Sequence, residues 1–95
     1  VKYFNWDISK NKKLKEERNI SFEDVLFSIK DRKILDILEH PNKEKYKEQL
    51  LLVVEINNYA YLVPFIESDN EIFLKTIIPS RKATKKYLRK INGKK

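Results

Sequence analysis

The chain has 95 residues, 41% hydrophobic and 37% charged, with one Gly, three Pro and no Cys. That suits a single domain over residues 1–95 with one core, and it excludes disulfides, thiolate metal sites and a low-complexity linker. The net charge of +7 is uneven: residues 72–95 hold nine Lys or Arg and no Asp or Glu, whereas residues 1–71 hold twelve basic and fourteen acidic side chains. Such a basic segment on a nearly neutral body concentrates polyanions: nucleic acid, an acidic protein or an anionic membrane surface. The longest apolar run, Leu50–Val54, is far too short to span a bilayer, and no signal-peptide segment opens the chain. A cytoplasmic location without membrane contact is therefore expected.

Lys2 to Trp6 reads as a short aromatic strand. Asp7 is placed to cap a helix over residues 8–18, and Asn19 to end it in the left-handed conformation. Ser21-Phe22-Glu23-Asp24 is a capping box with Asp in the usual Glu position, stapled by Ile20 and Val25. Phe22, Val25, Leu26 and Ile29 then form the buried stripe of a second helix.

From Ile34 the hydrophobic period becomes two, which predicts a strand from Ile34 to Glu39 and a polar loop from His40 to Glu48. Leu50–Ile56 and Tyr59–Ile66 form a hairpin about Asn57-Asn58, with Ile56 opposite Tyr59, Val54 opposite Tyr61, Leu52 opposite Val63 and Leu50 opposite Phe65. Ser68-Asp69-Asn70 turns the chain into a last strand, Glu71–Ile78. Pro64 has no N–H to donate and should mark an edge or a bulge. Pro79 ends the sheet, Ser80 caps, and Arg81–Ile91 forms a basic helix with Thr84, Tyr87, Leu88 and Ile91 inward. The predicted class is α+β: an N-terminal strand, two helices, an antiparallel meander and a C-terminal basic helix.

One face of that sheet (Leu50, Leu52, Val54, Ile56, Tyr61, Val63, Phe65, Ile72, Leu74) should meet the helices. The other carries Leu51, Val53, Ala60, Leu62, Pro64, Ile66, Phe73 and Ile77, interrupted by Glu55 and Lys75. With few helices to cover it, this second face reads as a partner interface or the floor of a cleft.

Four residues, Arg81, His40, Glu67 and Lys75, are candidates for chemistry, with Lys82 beside Arg81. Arg81 and Lys82 occupy the first turn of the last helix, where the macrodipole is positive, at a cost of about 0.3–1 kcal/mol each. An anion bound there would offset that cost, and a solvated basic face is the plainer alternative. His40 is the only histidine and the only group that titrates near neutrality without help. It could move a proton, or merely close the turn before Pro41-Asn42. Glu67 ends a strand, and Lys75 either snorkels past the sheet edge or charges a cleft. No metal-ligand cluster, Gly-rich phosphate loop or Ser/His/Asp set is present, so no metal and no cofactor are expected.

Together the segments resemble the BrnT family of ribonuclease toxins from bacterial toxin–antitoxin modules. Phe4-Asn5-Trp6-Asp7 with Lys10-Asn11 and Leu14, Ile20 through Val25, and Ile77 through Thr84 followed by Tyr87 carry the likeness. They correspond in order to the family's F-x-W-D start, its G-[VI]-S-F-E-E helix start and its I-I-S-A-R-x-A-T helix start. The resemblance implies a RelE-like fold, metal-independent RNA cleavage that blocks translation, and a cognate antitoxin protein. It also allows a homodimer or a toxin–antitoxin hetero-oligomer. Arg81 matches the family's helix-start arginine, and His40 a position that is often histidine. Asn19 stands where the family usually has Gly, and Lys45 or Lys47 stands near the family's Arg before the central hairpin.

In chemical terms, cleavage needs no metal when the ribose 2′-OH attacks the adjacent phosphate. Arg81, with Lys82, Lys75 and the helix N-terminus, would stabilise the phosphorane, each donor contributing roughly 10²–10³ in rate. His40 or Glu67 would carry the proton, and Lys82, Lys85, Lys86 and Arg89 would hold RNA. The alternative is a non-catalytic nucleic-acid-binding or regulatory module using the same basic helix.

Overall fold

The structure, a computed structural model, describes residues 2–89, the Arg89 side chain excepted. In chain order the elements are β1 (Tyr3–Trp6), α1 (Ile8–Arg18), α2 (Phe22–Lys30), β2 (Ile34–Glu39), β3 (Gln49–Ile56), β4 (Tyr59–Glu67), β5 (Glu71–Leu74) and β6 (Ile78–Pro79). The described residues end in α3 (Arg81–Ala83), which continues as a π-helical segment, Thr84–Arg89. The α+β expectation holds. None of the helices among the described residues is long and apolar enough to cross a membrane.

Local chemistry sets the first half. Asp7 Oδ1 accepts from the Ser9 and Lys10 N–H groups, and Asn19 closes α1 at φ 55°. Ser21 Oγ accepts from the Asp24 N–H while Asp24 Oδ2 accepts from the Ser21 N–H, which completes the predicted capping box. Ile20 and Val25, its staple, are both buried. Asn11, also buried, joins the two helices: its Oδ1 accepts from the Phe22 N–H at 2.8 Å and its Nδ2 donates to Glu23 at 2.9 Å. Trp6 stacks on Phe22 with ring centroids 5.6 Å apart.

The sheet order is β1-β5-β4-β3-β2. Strands β2 to β5 form the expected antiparallel meander, and β1, whose partner the sequence did not assign, pairs parallel with β5, so the sheet is mixed. The two helices carry the chain from β1 at one edge to β2 at the other. All four predicted hairpin pairs occur, around Asn57 (φ 54°) and Asn58 (φ 65°).

The expected single strand Glu71–Ile78 is broken. Leu74 pairs with Phe65 and Ile78 with Leu62, so Val63 and Pro64 face three residues, Lys75 to Ile77. The extra residue is a bulge opposite the proline, which gives no N–H to the ladder yet accepts from the Lys75 N–H at 2.8 Å. Because of the bulge, Ile77 turns from its expected second face into the main core beside Leu74. Pro79 ends the sheet as expected, as its last residue, paired with Tyr61 and followed by the Ser80 cap.

That core lies between α1, α2 and one sheet face: Leu14, Ile20, Phe22 and Val25 against Leu52, Val54, Ile56, Val63, Phe65 and Leu74. The second face is not open as expected. Ala83, Tyr87 and Leu88 of the C-terminal helix cover Val53, Ala60 and Leu62. Thr84 locks them in place, its Oγ1 accepting from the Ala60 N–H at 2.9 Å and donating to the Ser80 carbonyl at 2.8 Å. The predicted helix Arg81–Ile91 is thus α-wound for one turn only and π-wound after Thr84; Ile91 lies outside the described residues.

Candidate functional site

Charge gathers where β5, the bulge, β6 and α3 follow one another along β4. Lys75 leaves the bulge with Nζ 5.5 Å above the Phe73 ring, which shields its stem and keeps its charge in water. The Ser80 N–H donates to the Ala60 carbonyl, and Ser80 Oγ accepts from the Ala83 N–H, so the start of α3 is fixed to the strand. Arg81 and Lys82 are exposed in a first turn without acidic residues. Lys85 and Lys86 continue the exposed side, and the Arg89 side chain lies outside the description. Among the described residues, none of Lys75, Arg81, Lys82, Lys85 or Lys86 forms an ion pair.

The four candidates for chemistry do not converge. Lys75 lies level with Pro64 and Ser80 with Ala60, four β4 residues apart, so Lys75 and Arg81 are separated by about 13 Å along the edge. They form a line of cations in place of the expected cluster. Glu67 is seven β4 residues beyond Ala60, about 23 Å away, and is ion-paired to Lys2. His40 follows Glu39, which pairs with Leu50, so it lies at the same far end as Glu67 but two strands across. There His40 Nδ1 accepts from the Asn42 N–H at 3.1 Å, and its ring sits 4.4 Å from that of Tyr46. These are turn-closing contacts.

Among the described residues, clear pKa displacements occur at three groups, each with a structural hydrogen bond as its main cause. Asn11 holds Glu23 below the usual glutamate value. The Tyr87 hydroxyl lowers Asp36, and Asp36 in turn raises Tyr87.

Sequence reasoning credited the positive field to the C-terminal segment alone and missed the contribution of α1. Lys10, Lys13 and Arg18 face Thr76 of the bulge across a cavity of about 220 Å³. Arg18 Nη1 donates to the Ile77 carbonyl at 3.2 Å, on the side of the edge where no strand continues beyond β1 among the described residues. The signal was legible: Lys10, Lys12, Lys13 and Lys15 crowd a helix with no acidic residue in its first turn.

An apolar hollow opens elsewhere, on the helix-bearing sheet face between Phe4, Ile29, Ile37, Phe65 and Ile72. Ile37, on the edge strand β2, is 54% exposed there. A scan against protein-family models, a search of curated proteins and a search of solved structures each return no match to this chain.

Proposed function

We propose that this domain binds RNA along the basic edge running from Lys75 through Lys82 onto the C-terminal helix. The observation that carries the reading is the row of exposed cations, Lys75, Arg81, Lys82, Lys85 and Lys86, none ion-paired among the described residues. Phosphate is the ligand such a row suits: its charge is repeated at intervals, and Arg81 can grip one group through two parallel hydrogen bonds.

The resemblance to BrnT extends this to a RelE-like toxin that cleaves RNA and is neutralised by an antitoxin. Its support is the ordered set of motifs. In this fold, however, those motifs have structural work: Asp7 caps, Trp6 stacks on Phe22, Asn11 joins the helices and Thr84 fastens α3. They speak for architecture more than for activity. In a cleavage reaction Arg81 would stabilise the phosphorane, and the proton carrier would have to come from its own end of the sheet. The separation of His40 and Glu67 from Arg81 favours the second reading, an RNA-binding module without cleavage.

Induced expression of the wild type and Arg81→Ala, with growth and cellular RNA integrity as readouts, separates the two. Growth arrest with RNA degradation, both lost in Arg81→Ala, supports the ribonuclease toxin. RNA binding by the purified protein with no cleavage, ribosomes included, supports the binding module. Absence of RNA binding sinks both.

A further inference from the structure

We propose that the cavity between α1 and the β5–β6 bulge holds one phosphodiester group of the bound strand, gripped by Lys10, Lys13 and Arg18. The inference rests on the RNA-binding reading and adds a contact on the far side of the edge from α3. Three cations and one carboxylate, Glu17, line the cavity together with Thr76 and the Leu14 side chain. Their formal sum of +2 selects an anion, and the volume of about 220 Å³ suits a compact one. Glu17 opposes the anion, which limits the affinity of this pocket for phosphate by itself.

Two features make the cavity a formed site and not a chance meeting of surface lysines. Arg18 is already anchored through Nη1 to the Ile77 carbonyl, so its guanidinium is held at the wall with further N–H donors to give. Thr76 is delivered to the same wall by the bulge, and its hydroxyl makes no hydrogen bond among the described residues. Lys10, Lys13 and Arg18 likewise have no ion-pair partner among the described residues, whereas Lys15 on the same helix pairs with Glu23. Thr76 in the lining directly follows Lys75, whose own side chain lies over Phe73 and is not part of the cavity wall. A strand that crosses the edge at the bulge would therefore reach Lys75 on one side and the cavity beside Thr76 on the other.

The test is fluorescence anisotropy with a labelled single-stranded RNA, measured over a range of KCl concentrations. The proteins are wild type, Lys10→Gln/Lys13→Gln, and the charge-matched control Lys12→Gln/Lys30→Gln, whose positions do not line the cavity. All these residues are exposed, and circular dichroism checks that each variant is folded. The pocket variant is expected to bind about tenfold more weakly at moderate salt, with a log–log salt slope shallower by about 0.7, the share of one phosphate contact on a single strand. The control should change little. Equal weakening in both variants overturns the proposal in favour of a diffuse field. An unchanged pocket variant beside a weakened Arg81→Ala overturns the pocket and leaves the RNA reading standing. If the wild type binds no RNA, both fall together. Two further arms name other occupants. A thermal shift with inorganic phosphate that needs Lys10 and Lys13, at unchanged RNA affinity, assigns the cavity to the free anion and overturns the proposal. Lost binding of a poly-glutamate peptide at unchanged RNA affinity assigns it to an acidic protein, with the same consequence.

Discussion

The Tyr87 hydroxyl donates a 2.6 Å hydrogen bond to Asp36 Oδ2 and so ties the C-terminal helix to the edge strand β2, 51 residues earlier in the chain. Asp36 sits where the register of β2 slips against β3, so the bond joins a π-helical segment to a bulged strand. The two groups displace each other's pKa in opposite directions: the carboxyl is lowered first by Tyr87, then by the Ile37 N–H and by Lys86, and the phenol is raised by Asp36.

Stability should follow those directions. A lowered carboxyl pKa stabilises the fold above the unfolded value of about 4, and that contribution is lost as pH falls through the folded value. A raised phenol pKa stabilises below about 10 and is lost as pH rises through the folded value. Tyr87→Phe should therefore lower the urea midpoint at pH 7, with the gap to wild type narrowing at both extremes. Identical midpoints at pH 7 would show that the bond contributes nothing.

Asn11→Ala removes the acceptor for a buried N–H and is expected to cost about 2 kcal/mol in chemical denaturation. It also removes the largest cause of the lowered Glu23 pKa, so the Glu23 titration followed by NMR should move up. RNA affinity should not change under folding conditions. A neutral stability effect would contradict the role given to Asn11 at the α1–α2 junction.

Asn58 stands at φ 65° in the hairpin turn. A β-branched side chain is strained there, so Asn58→Val should destabilise by about 1–2 kcal/mol. Glycine accepts this conformation without steric cost, so Asn58→Gly should keep its melting temperature close to wild type. Thermal denaturation of the pair checks the turn, and equal losses in both would argue against it.

Arg81→Ala is expected to weaken RNA binding about tenfold, the value of one charged hydrogen-bond grip. His40→Ala lies some 20 Å or more away and should stay within about twofold of wild type. In the ribonuclease reading Arg81→Ala also slows cleavage by roughly 10²–10³. A stronger binding defect from His40→Ala would relocate the interface to the far end of the sheet.

Local interactions made much of the fold legible in advance. The Asp7 cap, the Asn19 stop, the Ser21–Asp24 box and the Asn57-Asn58 turn each depend on residues within four positions of one another, and each was readable. The hairpin register followed from its turn. What was misread or left unassigned depends on distant partners. The parallel pairing of β1 with β5 joins segments 68 residues apart, and no local pattern specifies it. The C-terminal helix covers the second sheet face because Thr84 and Tyr87 find Ala60 and Asp36, again far away in the chain.

The uneven charge was determined by the sequence itself: an acid-free segment after Glu71 and a lysine-rich helix after Asp7. Where those charges act was decided only by tertiary structure. The bulge opposite Pro64 sends Thr76 toward α1, and the Arg18 bond to Ile77 holds that helix against the same edge. The basic residues of α1 thereby join those of the last third of the chain, while His40 and Glu67 are carried to the other end. Sequence fixes which residues are charged and which turns form, because both are properties of a few neighbouring atoms. Convergence of side chains is a property of strand order and register, which many weak, long-range contacts determine together.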